Sequence, residues 1–286
     1  MLHPIFNRER WEYVQDEEYE ALLPSMRLST NLLKVALPFI ASFLPNDHIF
    51  DYYDDEFPEV ILLKPTVTEA ELVAAQKELE QVARLVRWQL NYDMYAHVGF
   101  GAKRPMEWIG ITRLVDTPRP WSEVSDEEIR ASDEEYRKNG LNHRPLIIGI
   151  MGEYVKVLLG SAKGSEQRLR ATFMAAITMT HEIGHAMFNY DFRSFNPPEH
   201  REPYVGDGCV AELGFSFICW IFGGFHPNAE REKGSWTMDF QSLLYWEPQY
   251  YMSQKKVPFY KTLYSIPVQY LEKVLTQEFW TELLPT

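Results

Sequence analysis

Residues 171–190 read ATFMAAITMTHEIGHAMFNY, and the pentapeptide HEIGH near their centre guides the interpretation of the whole chain. The stretch has no proline and the apolar pattern of a buried helix, which we expect to span residues 166–190 after a cap at Ser165. At 3.6 residues per turn, His181 and His185 lie about 40° apart around the helix axis. Both imidazoles therefore project from one face and can bind the same metal ion.

Glu182 lies about 100° from His181 on the same helix. Its carboxylate can therefore approach the metal without binding it, which suits a general base acting on a water molecule at the metal. Polar side chains set in an apolar helix are costly to bury without partners. A metal ion supplies that partner for the histidines.

A site of this kind needs a third protein ligand and one open position. Glu212 is the best candidate, because it lies in the apolar stretch DGCVAELGFSFICWIFGG, which we expect to form a helix over residues 208–222. A lone carboxylate in such surroundings is expensive unless it is paired or bound to a metal. His200 and Glu202, in the intervening loop, are rival ligands.

This pattern resembles the zincin metallopeptidases, and within them the gluzincin branch, over about residues 166–222. In that branch, an HExxH helix and a glutamate on a following helix hold zinc. The resemblance implies that His181, His185 and Glu212 bind Zn²⁺, and that Glu182 is the general base and later the proton shuttle. It also implies that one strand within residues 146–159 pairs with an extended substrate.

The chain departs from the gluzincin pattern in one respect. Ser216 stands where some members carry an aspartate that orients a metal-bound histidine, and Asp207 is the substitute that the sequence offers. Cys209 is on the same face as Glu212, and we interpret it as a small buried apolar residue. The oxyanion donor expected of a peptidase has five candidates: Tyr204, His226, Tyr245, Tyr250 and Tyr251.

The rest of the chain predicts an α+β protein that is mainly helical, with a small sheet beside the HExxH helix. We expect one catalytic domain over residues 1–286, made of a helical and β part (1–160), the metal-site helices (161–224) and an aromatic part (225–286). Periodicity and caps predict helices at 25–44 (kinked at Pro38), 69–91, 122–139 and near 266–284, an acidic loop at 46–59, a strand at 106–115 and two strands within 146–159.

Composition narrows the classes of function. The chain has 286 residues, with 28 Lys+Arg against 41 Asp+Glu, and a net charge of −13. Because the chain has no basic cluster, we expect that it binds neither nucleic acid nor an anionic membrane surface. Cys209 and Cys219 cannot form a disulfide framework, so we expect reduced thiols. No signal peptide or membrane-length apolar run is visible, and we expect a cytoplasmic protein.

We therefore expect a metallopeptidase, a zinc hydrolase that acts on a peptide, with Glu182 as the base. Two alternatives stay open. Two histidines and one carboxylate with open positions also describe non-haem Fe²⁺ oxygenases, so the same scaffold could modify a small molecule. A binding protein without catalysis is the third interpretation, and the intact Glu182 argues against it.

Overall fold

The computed structural model describes residues 1–44, 50–51, 60–92, 110–116, 124–191, 202–208, 211–229, 240, 243–249 and 262–283. Within these ranges the protein is α+β and mainly helical, as the sequence predicts. The α-helices are α1 (Asp16–Val35), α2 (Leu37–Ile40), α3 (Glu69–Leu85), α4 (Asp126–Lys138), α5 (Glu153–Gly160), α6 (Glu166–Asn189), α7 (Leu213–Ile221), α8 (Val268–Val274) and α9 (Gln277–Leu283).

The strands of the described residues form three small sheets. They are β1 (Trp11–Glu12), β2 (Phe50–Asp51), β3 (Val60–Ile61), β4 (Val86–Asn91), β5 (Gly110–Leu114), β6 (Leu146–Met151), β7 (Tyr204–Val205), β8 (Phe225–Ala229), β9 (Leu244–Pro248) and β10 (Tyr264–Ser265). The largest sheet has the order β1-β4-β6-β5, and the other two have the orders β10-β9-β8 and β2-β3-β7. In the largest sheet β5 runs antiparallel to β6, while the other pairs are parallel.

Helix α6 lies at the centre of the fold and packs against β5, β6 and the helices α1, α5 and α7. Its buried threonine hydroxyls find partners on those neighbours. Thr180 hydrogen-bonds Ser29 of α1 at 2.7 Å, and Thr178 hydrogen-bonds Tyr154 of α5 at 2.8 Å. Satisfied polar groups of this kind fix the helix in one position. The HEIGH segment is therefore held beside β5, which is an edge strand of the sheet among the described residues.

Serine and threonine side chains cap several helix starts, and the cap predicted at Ser165 is among them. Ser165 caps α6 by accepting a hydrogen bond from the Arg168 N–H. Thr68 caps α3 with Glu71 at the third position, and Ser125 caps α4 in the same way. A cap of this kind contributes about 1 kcal/mol, because it satisfies a backbone donor that has no partner within the helix.

The prediction of one helix over 69–91 is wrong at its end, because α3 stops at Leu85 and the chain continues as β4. Val86 and Trp88 are buried on either side of the exposed Arg87, and this is the period of a strand. Val86 and Leu90 also fit a helical spacing of four. Pairing of β4 with β6 decides in favour of the strand.

The prediction of two strands within 146–159 is also wrong. The first half forms β6, but the second half is the helix α5. Tyr154, Val155 and Leu158 are its buried residues, and their spacing places them on one helical face. Strand β6 is paired on both sides, by β4 and β5. It therefore has no open edge for a substrate, and the implied pairing strand is not in this segment.

Three further boundaries differ from the predictions. The helix expected at 25–44 starts earlier, as α1, and breaks at Ala36, because Pro38 lies in the first turn of the separate helix α2. The helix expected at 208–222 is the shorter α7. The closing helix is two helices, α8 and α9. Most of the predicted loop 46–59, and residues 106–109 of the predicted strand, lie outside the described residues.

One hydrophobic core contains residues from Ile5 to Trp280. Within the part of the chain that the structure describes, no helix is long and apolar enough to cross a membrane. The single-domain division stays a prediction.

Candidate metal centre

Three of the residues singled out from the sequence meet at one point. Nε2 of His181 lies 2.9 Å from Oε1 of Glu212, and Nε2 of His185 lies 2.7 Å from the same oxygen. The two Nε2 atoms are 3.2 Å apart. Among the described residues, His181, His185 and Glu212 form a group that could hold a metal ion.

The donor atoms fit a small divalent cation. Zinc bonds of about 2.0–2.1 Å in tetrahedral geometry place the ligand atoms roughly 3.3 Å apart, and the three observed separations of 2.7, 2.9 and 3.2 Å are somewhat shorter than this. Two imidazole nitrogens and a carboxylate oxygen that face one another at this range need protons or a cation between them. The site is partly open to solvent, since the side chains of His181 and Glu212 are 23% and 33% exposed.

The sequence predicts that Glu212 lies inside a helix. In the structure it is instead the N-cap residue of α7. There its Oε2 accepts the Phe215 N–H, while Oε1 faces the two histidines. An N-cap carboxylate is favourable because it satisfies a free backbone donor and lies at the positive end of the helix dipole. One residue therefore starts α7 and completes the ligand group.

Glu182 lies beside this group without belonging to it. Its carboxylate is buried, and its Oε1 is 4.0 Å from Nε2 of His181. The hydroxyl of Thr112, on β5, donates to Oε2 of Glu182 at 2.8 Å and also lies 3.1 Å from the Glu182 carbonyl oxygen. Gly110 provides space on the other side, because a Cβ there would overlap Oε1 of Glu182 and lie 2.8 Å from its Cδ.

Glu202 contacts His185 from outside the ligand group. Its Oε1 lies 2.6 Å from Nδ1 of His185, on the ring edge opposite the ligand nitrogen. The same carboxylate accepts hydrogen bonds from the Leu213 N–H at 2.7 Å and from Nδ2 of Asn189 at 3.3 Å. The hypothesis that Glu202 is a rival ligand is therefore not supported by the geometry. Asp207, the proposed orienting carboxylate, lies in the turn after β7.

Two glycines allow α6 and α7 to approach closely. A Cβ on Gly184, inside the HEIGH segment, would lie 3.2 Å from Cα of Gly214 and 3.0 Å from Cβ of Phe217. A Cβ on Gly214 would lie 2.6 Å from Nε2 of His181. Side chains at these positions would separate Glu212 from the histidines, because α7 begins directly after Glu212.

His226, on β8, is the oxyanion candidate that the structure places next to the ligand group. Its ring lies 6.1 Å from the His181 ring and stacks on Phe215 at 4.9 Å. Burial and the neighbouring His181 lower the pKa of His226 to about 4. The ring is therefore neutral at pH 7 and carries one N–H, and the backbone of Pro227 is a hydrogen-bond partner of the ring.

The charges of the site respond to burial and to one another. Burial raises the pKa of Glu182. Burial opposes protonation of His181 and His185, but nearby carboxylates outweigh it, so the pKa of each is raised. Burial also acts to raise the pKa of Glu212, but the two histidines hold it well below its usual range. Glu212 is therefore ionised at neutral pH.

Several residues that the sequence singled out lie outside the ligand group. Tyr204 lies in β7 and Tyr245 in β9, and Cys219 is a buried free thiol, as expected. Four lie outside the described residues: His200, Cys209, Tyr250 and Tyr251.

Sequence reasoning missed Thr112, Gly110 and Gly214. Thr112 and Gly110 lie on a strand some 70 residues before Glu182, so no local spacing links them to the metal motif. For Gly214, the only local signal of a close approach between helices was the presence of a glycine directly after the first residue of α7.

We compared the chain with protein-family models, with curated proteins and with solved structures, and none of the three comparisons found a match.

Proposed function

We propose that the protein is a zinc-dependent metallopeptidase with a zincin-like catalytic site. The observation that carries the proposal is the pairing of a three-residue ligand group with a separate buried carboxylate, Glu182, beside it. In the described part of the chain no fourth histidine, cysteine or carboxylate joins the group. Catalytic zinc sites have three protein ligands and an open position, whereas structural sites are closed by four.

A bound zinc would polarise the carbonyl to be cleaved and lower the pKa of a water molecule at the site. Glu182 takes the proton from the attacking water and returns it to the leaving amine. The hydrogen bond from Thr112 fixes Oε2 of Glu182, so Oε1 is the atom that accepts the proton and later donates it. Burial favours this role, because it raises the pKa of Glu182 toward the working pH.

We assign the remaining roles to His226 and β5. In this proposal His226, whose ring lies 6.1 Å from the His181 ring, donates its N–H to the carbonyl oxygen as negative charge develops there, in exchange for its hydrogen bond to the Pro227 backbone. Strand β5 is an edge strand among the described residues and carries Gly110 and Thr112 beside Glu182. An extended peptide added to this edge would bring its backbone to the ligand group.

The test is hydrolysis of a diverse peptide mixture by zinc-loaded protein, with the variant Glu182→Gln beside it. We expect Glu182→Gln to keep one zinc per chain and to lose hydrolysis. Glu153→Gln, on α5, is the matched control and should hydrolyse at the wild-type rate. Full hydrolysis by Glu182→Gln, or no cleavage of any peptide by the zinc-loaded wild type, would contradict the proposal.

The donor set also favours a second candidate, a non-haem iron oxygenase. Such an enzyme has no use for a buried base beside the ligands, so Glu182 favours the hydrolase. Metal analysis of protein purified without added metal separates the two. Zinc supports the peptidase, and iron with oxygen-dependent turnover supports the oxygenase.

A further inference from the structure

We propose that Glu202 is a positioning residue that holds the two ligand-bearing elements, α6 and the start of α7, at the spacing that metal binding needs. It sets the affinity for the metal without coordinating it. The inference rests on the metal site of the proposed function, but not on peptidase activity.

The first contact of Glu202 is with α6. Oε1 of Glu202 lies 2.6 Å from Nδ1 of His185, while Nε2 of His185 faces the ligand group. A carboxylate on the outer nitrogen of a metal-binding histidine fixes its ring orientation and tautomer and raises its basicity. Nδ2 of Asn189, one turn further along α6, donates to the same Oε1 at 3.3 Å.

The second contact of Glu202 is with α7. Oε2 of Glu202 accepts the Leu213 N–H at 2.7 Å. Leu213 directly follows Glu212, and its N–H is one of the donors that have no partner within the helix. The two oxygens of one carboxylate therefore hold both sides of the ligand group, His185 on one side and the backbone next to Glu212 on the other.

Burial makes this bridge effective. The Glu202 side chain is 12% exposed, so water competes little for its contacts. Hydrogen bonds to a charged group in such surroundings are stronger than those at a surface. A shorter or neutral side chain would release one of the two elements, because it could not keep both contacts. Metal affinity then falls, because the ligands on α6 and at the start of α7 must be held close together to bind the same ion.

The experiment is zinc affinity measured by chelator competition, at a temperature where every variant is folded. Glu202→Gln retains the length of the side chain but loses the charge, and we expect zinc to bind about 10–100-fold more weakly. Glu202→Asp keeps the charge but is too short to span both contacts, and should weaken binding in the same range. Visible spectra of the Co²⁺-loaded variants should also change, because the His185 ring turns.

Asp133→Asn is the matched control. Asp133 pairs with the buried Arg144, which donates to the carbonyl oxygens of Asn189 and Asp191 at the end of α6. We expect Asp133→Asn to lower the melting temperature of the metal-free protein while zinc affinity stays within about twofold of wild type.

Three outcomes would overturn the inference. The first is wild-type affinity in Glu202→Gln or in Glu202→Asp. The second is a loss of affinity in Asp133→Asn as large as in Glu202→Gln, which would make the effect one of general stability. The third is a wild type that binds no zinc, which would also overturn the metal site. A wild type that binds zinc but cleaves no peptide would contradict the peptidase alone.

Discussion

The hydroxyl of Thr112 donates to Oε2 of Glu182 at 2.8 Å, and the other carboxylate oxygen lies 4.0 Å from Nε2 of His181. The edge strand β5 therefore orients the buried carboxylate toward the ligand group. The catalytic role proposed for Glu182 depends on this orientation as much as on its place in the HEIGH segment.

The variant Thr112→Val tests this orientation. Valine has nearly the same shape but no hydroxyl, so Glu182 loses a hydrogen bond to a charged group, which contributes about 1.5–3 kcal/mol. We expect peptide hydrolysis to slow by about 10–100-fold with zinc content unchanged. Thr112→Ser keeps the donor and should recover most of the rate. Equal rates for the two variants would show that the hydroxyl has no role.

The variant Gly110→Ala tests the space around the same carboxylate. Its Cβ would overlap Oε1 of Glu182 and must displace it, since Gly110 belongs to the backbone of a paired strand. A shift of about 1 Å can cost on the order of 100-fold in rate. Gly160→Ala, whose Cβ would meet no atom within 4 Å, is the control and should keep wild-type kinetics. Normal turnover in Gly110→Ala would argue against the assigned position of Glu182.

The variant Gly214→Ala should act on metal binding instead. The new Cβ would lie 2.6 Å from Nε2 of His181, so the ring must leave the ligand group. We expect zinc affinity to fall by about tenfold or more, as measured by chelator competition. Undiminished affinity would mean that His181 is not a ligand in this position.

Stability should depend on pH through His3, which lies far along the chain from the site. Burial lowers the pKa of His3 to about 4, although Glu80 opposes this. His3 of the unfolded chain therefore binds a proton near pH 6.5, whereas His3 of the folded protein binds it only near pH 4. The free energy of unfolding therefore decreases as the pH drops from about 6.5 to about 4.

Urea unfolding with a chelator present measures the effect. Between pH 7.5 and pH 5 the free energy of unfolding of the wild type should decrease by about 2 kcal/mol more than that of His3→Asn. Asparagine can replace the acceptor that Nδ1 of His3 offers to the Ile5 N–H. Parallel pH profiles for the two proteins would contradict the assignment.

Local pattern was enough to predict the centre of the protein. Helix α6 follows from a continuous apolar stretch with a serine cap, and helical spacing alone brings His181 and His185 to one face. The sequence also predicted that Glu212 would join them, although it misplaced the start of α7.

The errors and omissions have a common physical cause. Val86 and Leu90 fit both a helix and a strand, and only pairing with β6 decides between the two. Glu202, Thr112 and Gly110 reach the site through the path of a loop and the position of an edge strand. These contacts are between residues far apart in the sequence, so periodicity and spacing do not reveal them.

The proposed metal site has three protein ligands and one open position beside Glu182. Anomalous diffraction at the zinc edge, from crystals of zinc-loaded protein, tests it most directly. We expect one zinc bound by Nε2 of His181, Nε2 of His185 and Oε1 of Glu212, with a water molecule between the zinc and Glu182. A fourth protein ligand, or zinc bound elsewhere, would contradict it.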